Sequence, residues 1–373
     1  MKIAVFAHIR HAIREPYAGG MEAHCAGLCA GLRAAGHDVT LFAAAGSEDE
    51  NLQPICAAPY DDVLPWEQFR GTEELASYQR TAFIEAWRTV RQSDFDIVHN
   101  NSLFPEIIDW AARDGVPCLT SQHVPPFGTM KDAVEGSAAF DNCVFSVTSE
   151  HQRTLWDESA CPNLRVVPNG VDTQVWTPAA RRQNYCIWVG RITPNKGLAE
   201  AVEAAHHAGI ELRIYGPMED PGYFDAKVRR WLSEKVRYFG HIERDELRAT
   251  LAPALASVVT PMWDEPFGLV AAEALSCGVP VIAFDRGALR EVVGHCGVLV
   301  KAGDIGALCE AMTRASDISR ASCRQRAIER LSQEAMIAGY ERCYSAAIDG
   351  ASRLADRSAS RSSSHSSTSL LLA

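Results

Sequence analysis

Short apolar runs alternate with longer amphipathic stretches along the chain, and this alternation occurs twice. Apolar runs bounded by turn residues predict buried strands, and apolar positions at helical spacing predict amphipathic helices. Strands are predicted at 3–7, 38–43, 97–99, 117–121, 143–148 and 165–167, and again at 185–189, 211–215, 236–239, 257–260, 281–283 and 298–300. The helices between them include 20–35 and 73–91. Strands that alternate with helices favour parallel sheets, so the pattern predicts an α/β protein built from two Rossmann-like units.

A polar stretch at 171–184 separates the two units and predicts a linker. The predicted domains are therefore 1–172 and 173–332, and a helix is predicted to follow at 333–348. Residues 351–373 are rich in Ser and Arg and end in three leucines and an alanine. Such a segment has too little apolar surface to offset its loss of conformational entropy, and we expect it to be disordered.

The composition is that of an ordinary soluble protein, with 47% apolar and 22% charged residues among 373. This length predicts about two domains, each large enough to bury its own core. A net charge of −11 argues against nucleic acid as a partner, because no broad basic surface is available to contact phosphates. No apolar run approaches the roughly 20 residues of a membrane span, and the first apolar run is too short for a signal peptide. We therefore expect a cytoplasmic protein.

The sequence offers weak evidence for a metal site. The twelve cysteines are scattered through apolar segments and predict reduced core thiols. Cys25 and Cys29 share one face of a predicted helix, but no other metal ligand lies beside them. Asp94 and Asp96 could hold a divalent cation, yet they precede a strand and so lie at the edge of the sheet opposite the ligand crevice. We expect no metal ion and no other cofactor.

The run 264–274 sets Glu265 and Glu273 eight positions apart across a predicted strand-to-helix junction. The helix is predicted to begin at Phe267. A helix start carries free backbone N–H groups and the positive end of the helix dipole, so it suits a phosphate. Glu265 precedes the first turn and lies at the crevice above the strand ends, and Glu273 lies about two turns further along. One carboxylate can therefore meet a sugar and the other a ribose.

Three further segments carry residues that could bind a ligand in the same crevice. Arg191 and Lys196 lie five positions apart in a loop after the strand that opens the second unit, and a fixed pair of cations suits a diphosphate. Gly19 and Gly20 open the first helix, where a missing Cβ lets the backbone approach a phosphate. His123 follows a predicted strand at its carboxyl end, where ligands of α/β proteins bind. Each position is also compatible with an ordinary solvated loop.

The segment around Glu265 and Glu273 resembles the signature of the retaining glycosyltransferases of family 4, a Glu followed after seven residues by a second Glu inside Glu-Pro/Gly-Phe-Gly-Leu…Glu-Ala. The next residues, Leu-Ser-Cys-Gly-Val-Pro-Val-Ile, are similar to the strand entry of that family. The Gly-Arg…Lys-Gly loop and the Gly-Gly opening match it as well, and the resemblance covers the chain from Lys2 to about Ile348. It implies the GT-B fold, in which two Rossmann-like domains face each other across a cleft and the helix 333–348 packs back on the first.

The resemblance also implies a function. The enzyme would be a retaining, metal-independent hexosyltransferase that takes its sugar from a UDP-, GDP- or ADP-linked donor. The acceptor would be a hydroxyl of a saccharide, a lipid-linked compound or a small molecule. The implied catalytic residues are His123, Arg191, Lys196 and Glu265, and the implied donor-binding residues are Gly19, Gly20, Arg191, Lys196, Glu265, Phe267, Gly268, Leu269 and Glu273. In this scheme Glu273 contacts the ribose, and the departing phosphate oxygen takes the proton of the acceptor.

Two other functions stay open on the same fold. A nucleotide-sugar epimerase or hydrolase would need acid and base groups in the first domain, and four residues offer them. These are Glu106, Asp109, Glu150 and His151. A sugar-nucleotide-binding protein without turnover is the other alternative.

Many relatives act on envelope acceptors, so we also expect a weak, salt-sensitive contact of helix 73–91 with the inner membrane. The sequence leaves the oligomeric state open.

Overall fold

The computed structural model describes residues 1–156 and 161–368, with side chains as far as residue 356. Within these residues the strands form two parallel sheets, one of seven strands and one of six. Helices cover both faces of each sheet, so the central strands are buried on both sides and are rich in apolar residues. The predicted α/β class with two units is confirmed.

The first sheet has the strand order β3-β2-β1-β4-β5-β6-β7. Its strands are β1 (Lys2–Phe6), β2 (Asp38–Ala44), β3 (Leu52–Cys56), β4 (Ile97–Asn100), β5 (Cys118–Gln122), β6 (Cys143–Val147) and β7 (Leu164–Val166). Its helices are α1 (Gly20–Ala34), α2 (Tyr60–Val63), α3 (Trp66–Phe69), α4 (Glu73–Gln92), α5 (Glu106–Asp114), α6 (Gly128–Ser137) and α7 (Glu150–Trp156). The order reverses beside β1, which places the loops after β1 and β4 at a ligand-binding crevice. The sequence pattern missed β3, an edge strand that is half exposed and contains Pro54.

The second sheet has the strand order β10-β9-β8-β11-β12-β13. Its strands are β8 (Tyr185–Val189), β9 (Glu211–Tyr215), β10 (Val236–Tyr238), β11 (Ala256–Val259), β12 (Val281–Phe284) and β13 (Gly297–Val300). Its helices are α8 (Leu198–Ala208), α9 (Pro221–Tyr223), α10 (Arg244–Leu251), α11 (Leu269–Ser276), α12 (Leu289–Val293), α13 (Ile305–Thr313) and α14 (Arg320–Arg330). Because β8 and β11 are neighbours, the loops that follow them meet at the carboxyl edge of this sheet.

The last helix, α15 (Gln333–Thr368), packs on the first domain. Its Ile337, Tyr340 and Tyr344 lie in one buried cluster with residues of β1 and α1. The chain thus crosses between the domains twice, and the two crossing segments pair through a bridge between Val171 and Ser332.

The helix α15 continues beyond the end predicted at 348. Its backbone is helical through Thr368, which differs from the disorder expected of the tail 351–373. The Ala, Arg and Leu residues just after 350 are good helix formers, and extending an existing helix costs far less than starting one. The remaining tail residues, 369–373 with their three leucines, lie outside the described residues.

The helix α4 does not present an apolar face to solvent. Phe83 and Trp87 are buried in the core of the first domain. Its arginines instead form ion pairs, such as those of Arg80 with Glu106 and of Arg91 with an aspartate of α5. The Phe83 and Trp87 rings are therefore not available to a membrane, and the expected weak, salt-sensitive contact stays a prediction. Within the described parts of the chain, no helix is long and apolar enough to cross a bilayer.

The cysteines are free thiols, and all but Cys56 and Cys309 are buried. Burial raises the pKa of most of them; the pKa of Cys118, for example, rises to about 12. A buried thiol with a high pKa is unreactive, so the prediction of core thiols is confirmed.

Candidate functional site

The two domains enclose a cleft with a cavity of about 350 Å³ at the carboxyl edges of both sheets. The sequence-predicted site residues all line this cavity. They are Gly19, Gly20, His123, Arg191, Lys196, Glu265, Phe267, Gly268, Leu269 and Glu273. The fold brings together loops that are up to about 250 positions apart in the sequence, because these loops follow the carboxyl ends of parallel strands at or near the point where the strand order of each sheet reverses.

The two candidate cations lie in the loop after β8, and each has an acidic partner. The Arg191 guanidinium is 3.0 Å from a carboxylate oxygen of Glu219. The Lys196 ammonium is 2.7 Å from Oε2 of Glu265, and both side chains are largely buried. The loop is held tightly at Gly197, whose φ is +66° and where an added Cβ would lie 1.9 Å from the carbonyl oxygen of Thr260. The two cations are therefore held in fixed positions, whereas cations in an exposed loop would be freely solvated.

Glu265 lies at the centre of the cleft with two donors on one oxygen. Besides the Lys196 ammonium, the indole Nε1 of Trp263 donates to Oε2 at 3.0 Å. The side chain of Glu265 is 14% exposed. Because both donors bind Oε2, the other carboxylate oxygen is available to a ligand.

The helix α11 begins at Leu269, two residues later than predicted from the sequence. Gly268 is its N-cap with φ of +92°, a left-handed conformation that a helix interior excludes, and the predicted start at Phe267 is therefore wrong. The helix start nevertheless lies in the cavity, with Leu269 and Val270 on its wall. Gly20 of the other domain lies so close that an added Cβ would be 3.3 Å from the Leu269 side chain. The glycine therefore lets the two walls approach each other.

Glu273 lines the same cavity as Glu265 and lies in the second turn of α11. Burial raises the pKa of its carboxyl to about 7, and the Arg244 guanidinium partly offsets this effect. Near neutral pH this carboxyl therefore exchanges between its protonated and ionised forms. A ligand that donates hydrogen bonds to this carboxyl would favour its ionised form.

His123 enters the cavity from the first domain above a buried polar cluster. Its Nε2 is 2.8 Å from Oδ1 of Asn101, and its ring lies 4.3 Å from that of His24. Burial lowers the pKa of His123 to about 4, so the ring is neutral at physiological pH. Below it, His99 bonds to Tyr344 of α15 at 2.6 Å. Because Oδ1 of Asn101 can only accept, Nε2 of the neutral ring donates to it, and Nδ1 is left to accept a hydrogen bond from a sugar hydroxyl.

A set of hydrogen bonds joins the domains at the edge of the cleft, and we call it the interdomain latch. The Thr148 and Ser149 hydroxyls approach the carbonyl oxygen of Pro266 at 2.8 and 2.9 Å. The Glu291 carboxylate accepts from the first two backbone N–H groups of α7, at 2.8 and 2.6 Å. The first domain thus holds the loop that carries Glu265.

The acid and base groups that an epimerase or hydrolase would need are not part of the cavity wall. Glu106 pairs with Arg80, and Glu150 pairs with Arg153, both at the surface. None of the four candidates, which include Asp109 and His151, lines the cavity.

The Asp94 and Asp96 pair also lies away from the cleft. Both carboxylates bind Lys2, whose side chain is 2.5 Å from Asp94 and whose backbone N–H is 2.7 Å from Asp96. This places them at the amino edge of the first sheet. Within the described residues, no group of three or more His, Cys, Asp or Glu side chains has the arrangement of a metal site.

Sequence reasoning missed four residues of the site: Ser149, Glu219, Arg244 and Trp263. A Trp two positions before Glu265 was the one local signal, since an indole N–H at that distance can reach the carboxylate. The other three lie in separate segments of the chain, and nothing in their local sequence indicates a place in the cleft.

Two Rossmann-like domains that face each other over a cleft, with cations and a helix start on its wall, define the architecture of GT-B sugar-transferring enzymes. Comparison with family models agrees with this class. Residues 18–175 match the model described as Glycosyltransferase Family 4, and residues 175–330 match Glycosyl transferases group 1. The chain belongs to the group 1 glycosyltransferases with the GT-B fold, so the family and the fold expected from the sequence are confirmed.

Known proteins are similar over most of the chain. Glycogen synthase of Mycobacterium tuberculosis is 27% identical over 323 residues, which cover 74% of this chain and 76% of that protein. The structure of AviGT4, a glycosyltransferase involved in avilamycin A biosynthesis, matches with a TM-score of 0.72 and 25% identity, over 94% of this chain and 98% of that chain. Anabaena HepE in complex with UDP-glucose matches with a TM-score of 0.68 and 15% identity, over 90% and 97% of the two chains, and this match shows the shared fold.

Proposed function

We propose that this chain is a retaining, metal-independent hexosyltransferase that uses a nucleotide-sugar donor and a hydroxyl acceptor. The observation that carries the proposal is the meeting of Arg191, Lys196, Glu265 and Glu273 with the start of α11 in one cleft. A binding protein would need affinity alone. Two partly buried cations beside a helix start are suited to the additional negative charge that develops on a departing diphosphate.

The donor is proposed to lie along the second domain with its diphosphate between the cations and the helix start. The positive end of the α11 dipole and the Arg191 and Lys196 side chains favour the charge of the phosphates. Glu273 then accepts hydrogen bonds from the ribose hydroxyls, and Glu265 accepts them from the sugar. His123 faces the sugar from the first domain as a neutral hydrogen-bonding group.

Transfer breaks the bond between the anomeric carbon and a phosphate oxygen, and forms a bond from that carbon to the acceptor oxygen. In the proposed same-face reaction, the departing phosphate oxygen takes the proton of the acceptor hydroxyl. The new bond then forms on the face that the phosphate leaves, which retains the configuration. Glu265, tied to Lys196 and Trp263, is not needed as a base in this scheme.

Arg191 and Lys196 supply the positive charge that a divalent cation provides in other sugar-transferring enzymes, so no metal ion is proposed in the reaction. Among the expected acceptors, a saccharide hydroxyl is favoured, because glycogen synthase is similar over most of the chain. The complex of HepE with UDP-glucose favours a UDP-linked donor over GDP- and ADP-linked ones.

The test is a transfer assay with the purified chain, α-linked UDP-, GDP- and ADP-hexoses and oligosaccharide acceptors, in excess chelator. We expect turnover without added metal, and proton NMR of the first-formed product should show an α-glycoside. A β-glycoside would contradict retention, and activity that returns only with Mg²⁺ or Mn²⁺ would contradict metal independence. Isomerised or hydrolysed donor without transfer would favour the epimerase or hydrolase. Thermal stabilisation by a donor that is never turned over would favour a binding protein.

A further inference from the structure

Trp263 makes two different contacts with the charged groups of the cleft. Its indole Nε1 donates to Oε2 of Glu265 at 3.0 Å. The Lys196 ammonium, which binds the same oxygen, lies 5.2 Å from the centre of the Trp263 ring. That distance is within the range of a cation–π interaction. The three side chains therefore form a closed triangle in which each contacts the other two.

The backbone of Met262, the residue before Trp263, is held by two hydrogen bonds, which limits the positions open to the ring. The N–H of Met262 donates to the carbonyl oxygen of Asn195 at 2.8 Å, which ties this segment to the loop of Lys196. The Arg286 guanidinium donates to the carbonyl oxygen of Met262 at 2.8 Å. Trp263 itself lines the cavity. A large side chain on such a framework is suited to orienting its neighbours.

Donor binding changes the balance of charge in this triangle. The Lys196 ammonium lies 2.7 Å from the Glu265 carboxylate and neutralises its charge. A diphosphate carries more negative charge than one carboxylate, so it competes for the same ammonium. The indole N–H has no charge and is not drawn away by phosphate in the same manner. The indole N–H is the hydrogen-bonding group that can keep the Glu265 carboxylate in place while Lys196 turns to the nucleotide-sugar.

We propose that Trp263 is a positioning residue for transfer: its N–H holds Oε2 of Glu265 towards the second domain, and its ring face guides the Lys196 ammonium. This proposal rests on the proposed function. It goes beyond that function by assigning the orientation of Glu265 to a neutral side chain. The other carboxylate oxygen of Glu265 then keeps the same orientation, towards the sugar position, before and after the nucleotide-sugar binds.

The test compares Trp263→Phe, which keeps a ring and removes the N–H, with Trp231→Phe. Trp231 is a suitable control because it is half-buried in the same domain, does not line the cavity and has a buried Nε1 without a partner. We expect Trp263→Phe to lower kcat about 10- to 100-fold, as the loss of a hydrogen bond to a charged group implies, with the donor KM changed less than about threefold. Trp231→Phe should leave both values unchanged.

A double-mutant cycle separates positioning from packing. If Trp263 acts through Glu265, adding Trp263→Phe to Glu265→Gln should lower kcat by less than about threefold further. Effects that multiply in the double variant, or a wild-type kcat in Trp263→Phe, would overturn the proposal. Failure of the wild-type chain to transfer sugar from any nucleotide-sugar would instead refute the proposed function.

A measurement that keeps Trp263 in place does not depend on the folding of Trp263→Phe. In protein labelled with ¹⁵N at the indoles of its eight tryptophans, one indole signal should shift in Glu265→Gln. That signal should stay protected from solvent exchange when a nucleotide-sugar is bound. Loss of protection on donor binding would show that the indole releases Glu265, which would contradict the proposal.

Discussion

At the scale of single residues, the ionisation of Glu273 is the property most open to measurement. Its carboxyl has a pKa of about 7 in the empty cleft, well above the ordinary value, because burial disfavours the charged form. The ribose hydroxyls of a donor would bind best to the ionised carboxylate. Donor binding should therefore release a proton near neutral pH.

We expect the affinity for a nucleotide-sugar to rise about tenfold between pH 6 and pH 8, because Glu273 loses its proton across this range. Glu273→Gln should remove the dependence and weaken binding at pH 8 by about 1.5–3 kcal/mol. Calorimetric titration at both pH values measures the two effects. An equal pH dependence in the variant would show that another group is responsible.

The same shift affects the stability of the empty protein. The folded-state pKa is raised, so the folded state holds a proton that the unfolded state has lost between about pH 4.5 and 7, and stability falls as pH rises through this window. Glu273→Gln should therefore raise the free energy of unfolding at pH 8 by up to about 3 kcal/mol, with little change at pH 4. Denaturant unfolding at the two pH values provides the comparison.

At the scale of elements, the interdomain latch connects α7 of the first domain to the loop before α11. Ser149 is its clearest donor, since its oxygen accepts from the N–H of Gln152 at 3.0 Å and its own proton is left for Pro266. The Thr148 hydroxyl has two acceptors, at 2.7 and 2.8 Å, for a single proton. Because of these hydrogen bonds, the position of the loop that carries Glu265 depends on how closely the two domains approach each other.

Ser149→Ala should loosen this connection, because one net hydrogen bond contributes about 1 kcal/mol. We expect the donor KM to rise about fivefold, and the radius of gyration from small-angle X-ray scattering to increase in the empty protein. Glu291→Ala, which removes the acceptor of two N–H groups, should have the larger effect on both. A surface change of the same type, Glu310→Ala, serves as the control because that side chain is 72% exposed. Variants of Ser149 and Glu291 that scatter and bind like the control would refute the latch.

At the scale of the whole molecule, the two crossing segments determine how the domains are joined. Gly170 lies where they touch, and an added Cβ would be 2.5 Å from the carbonyl oxygen of Ser332 and 2.7 Å from the Cα of Gln333. Both atoms belong to the backbone, so neither can move aside alone. The crossing tolerates no side chain at this position.

Gly170→Ala should destabilise the protein by about 1–3 kcal/mol, because overpacking forces the paired segments apart. Gly136→Ala is the matched control, since no atom lies within 4 Å of its added Cβ and Ala favours the helix α6. Thermal unfolding should show a lower Tm for Gly170→Ala and an equal or higher Tm for Gly136→Ala. Equal Tm values for the two variants would contradict a tight crossing.

The apolar pattern of the chain was enough to predict the two α/β units, and its motifs predicted ten of the residues that line the cleft. Strands such as Tyr185–Val189 are buried on both faces, so their apolar runs end where the strands end. Ligands of such sheets bind beyond the carboxyl ends of the strands, which placed Arg191, Lys196 and Glu265 correctly in the cleft. A family signature that spans nearly the whole chain added the GT-B arrangement of the two units.

The contacts between these groups, in contrast, depend on how the complete chain folds. Lys196 and Glu265 are 69 positions apart, and they meet because β8 and β11 are neighbours in the sheet, an order that no local pattern records. The pKa of Glu273 depends on burial by side chains from several elements. The latch joins Ser149 to Pro266 across two domains. Contacts between distant segments follow from packing of the complete chain, so a pattern within each segment predicts the groups but not their partners.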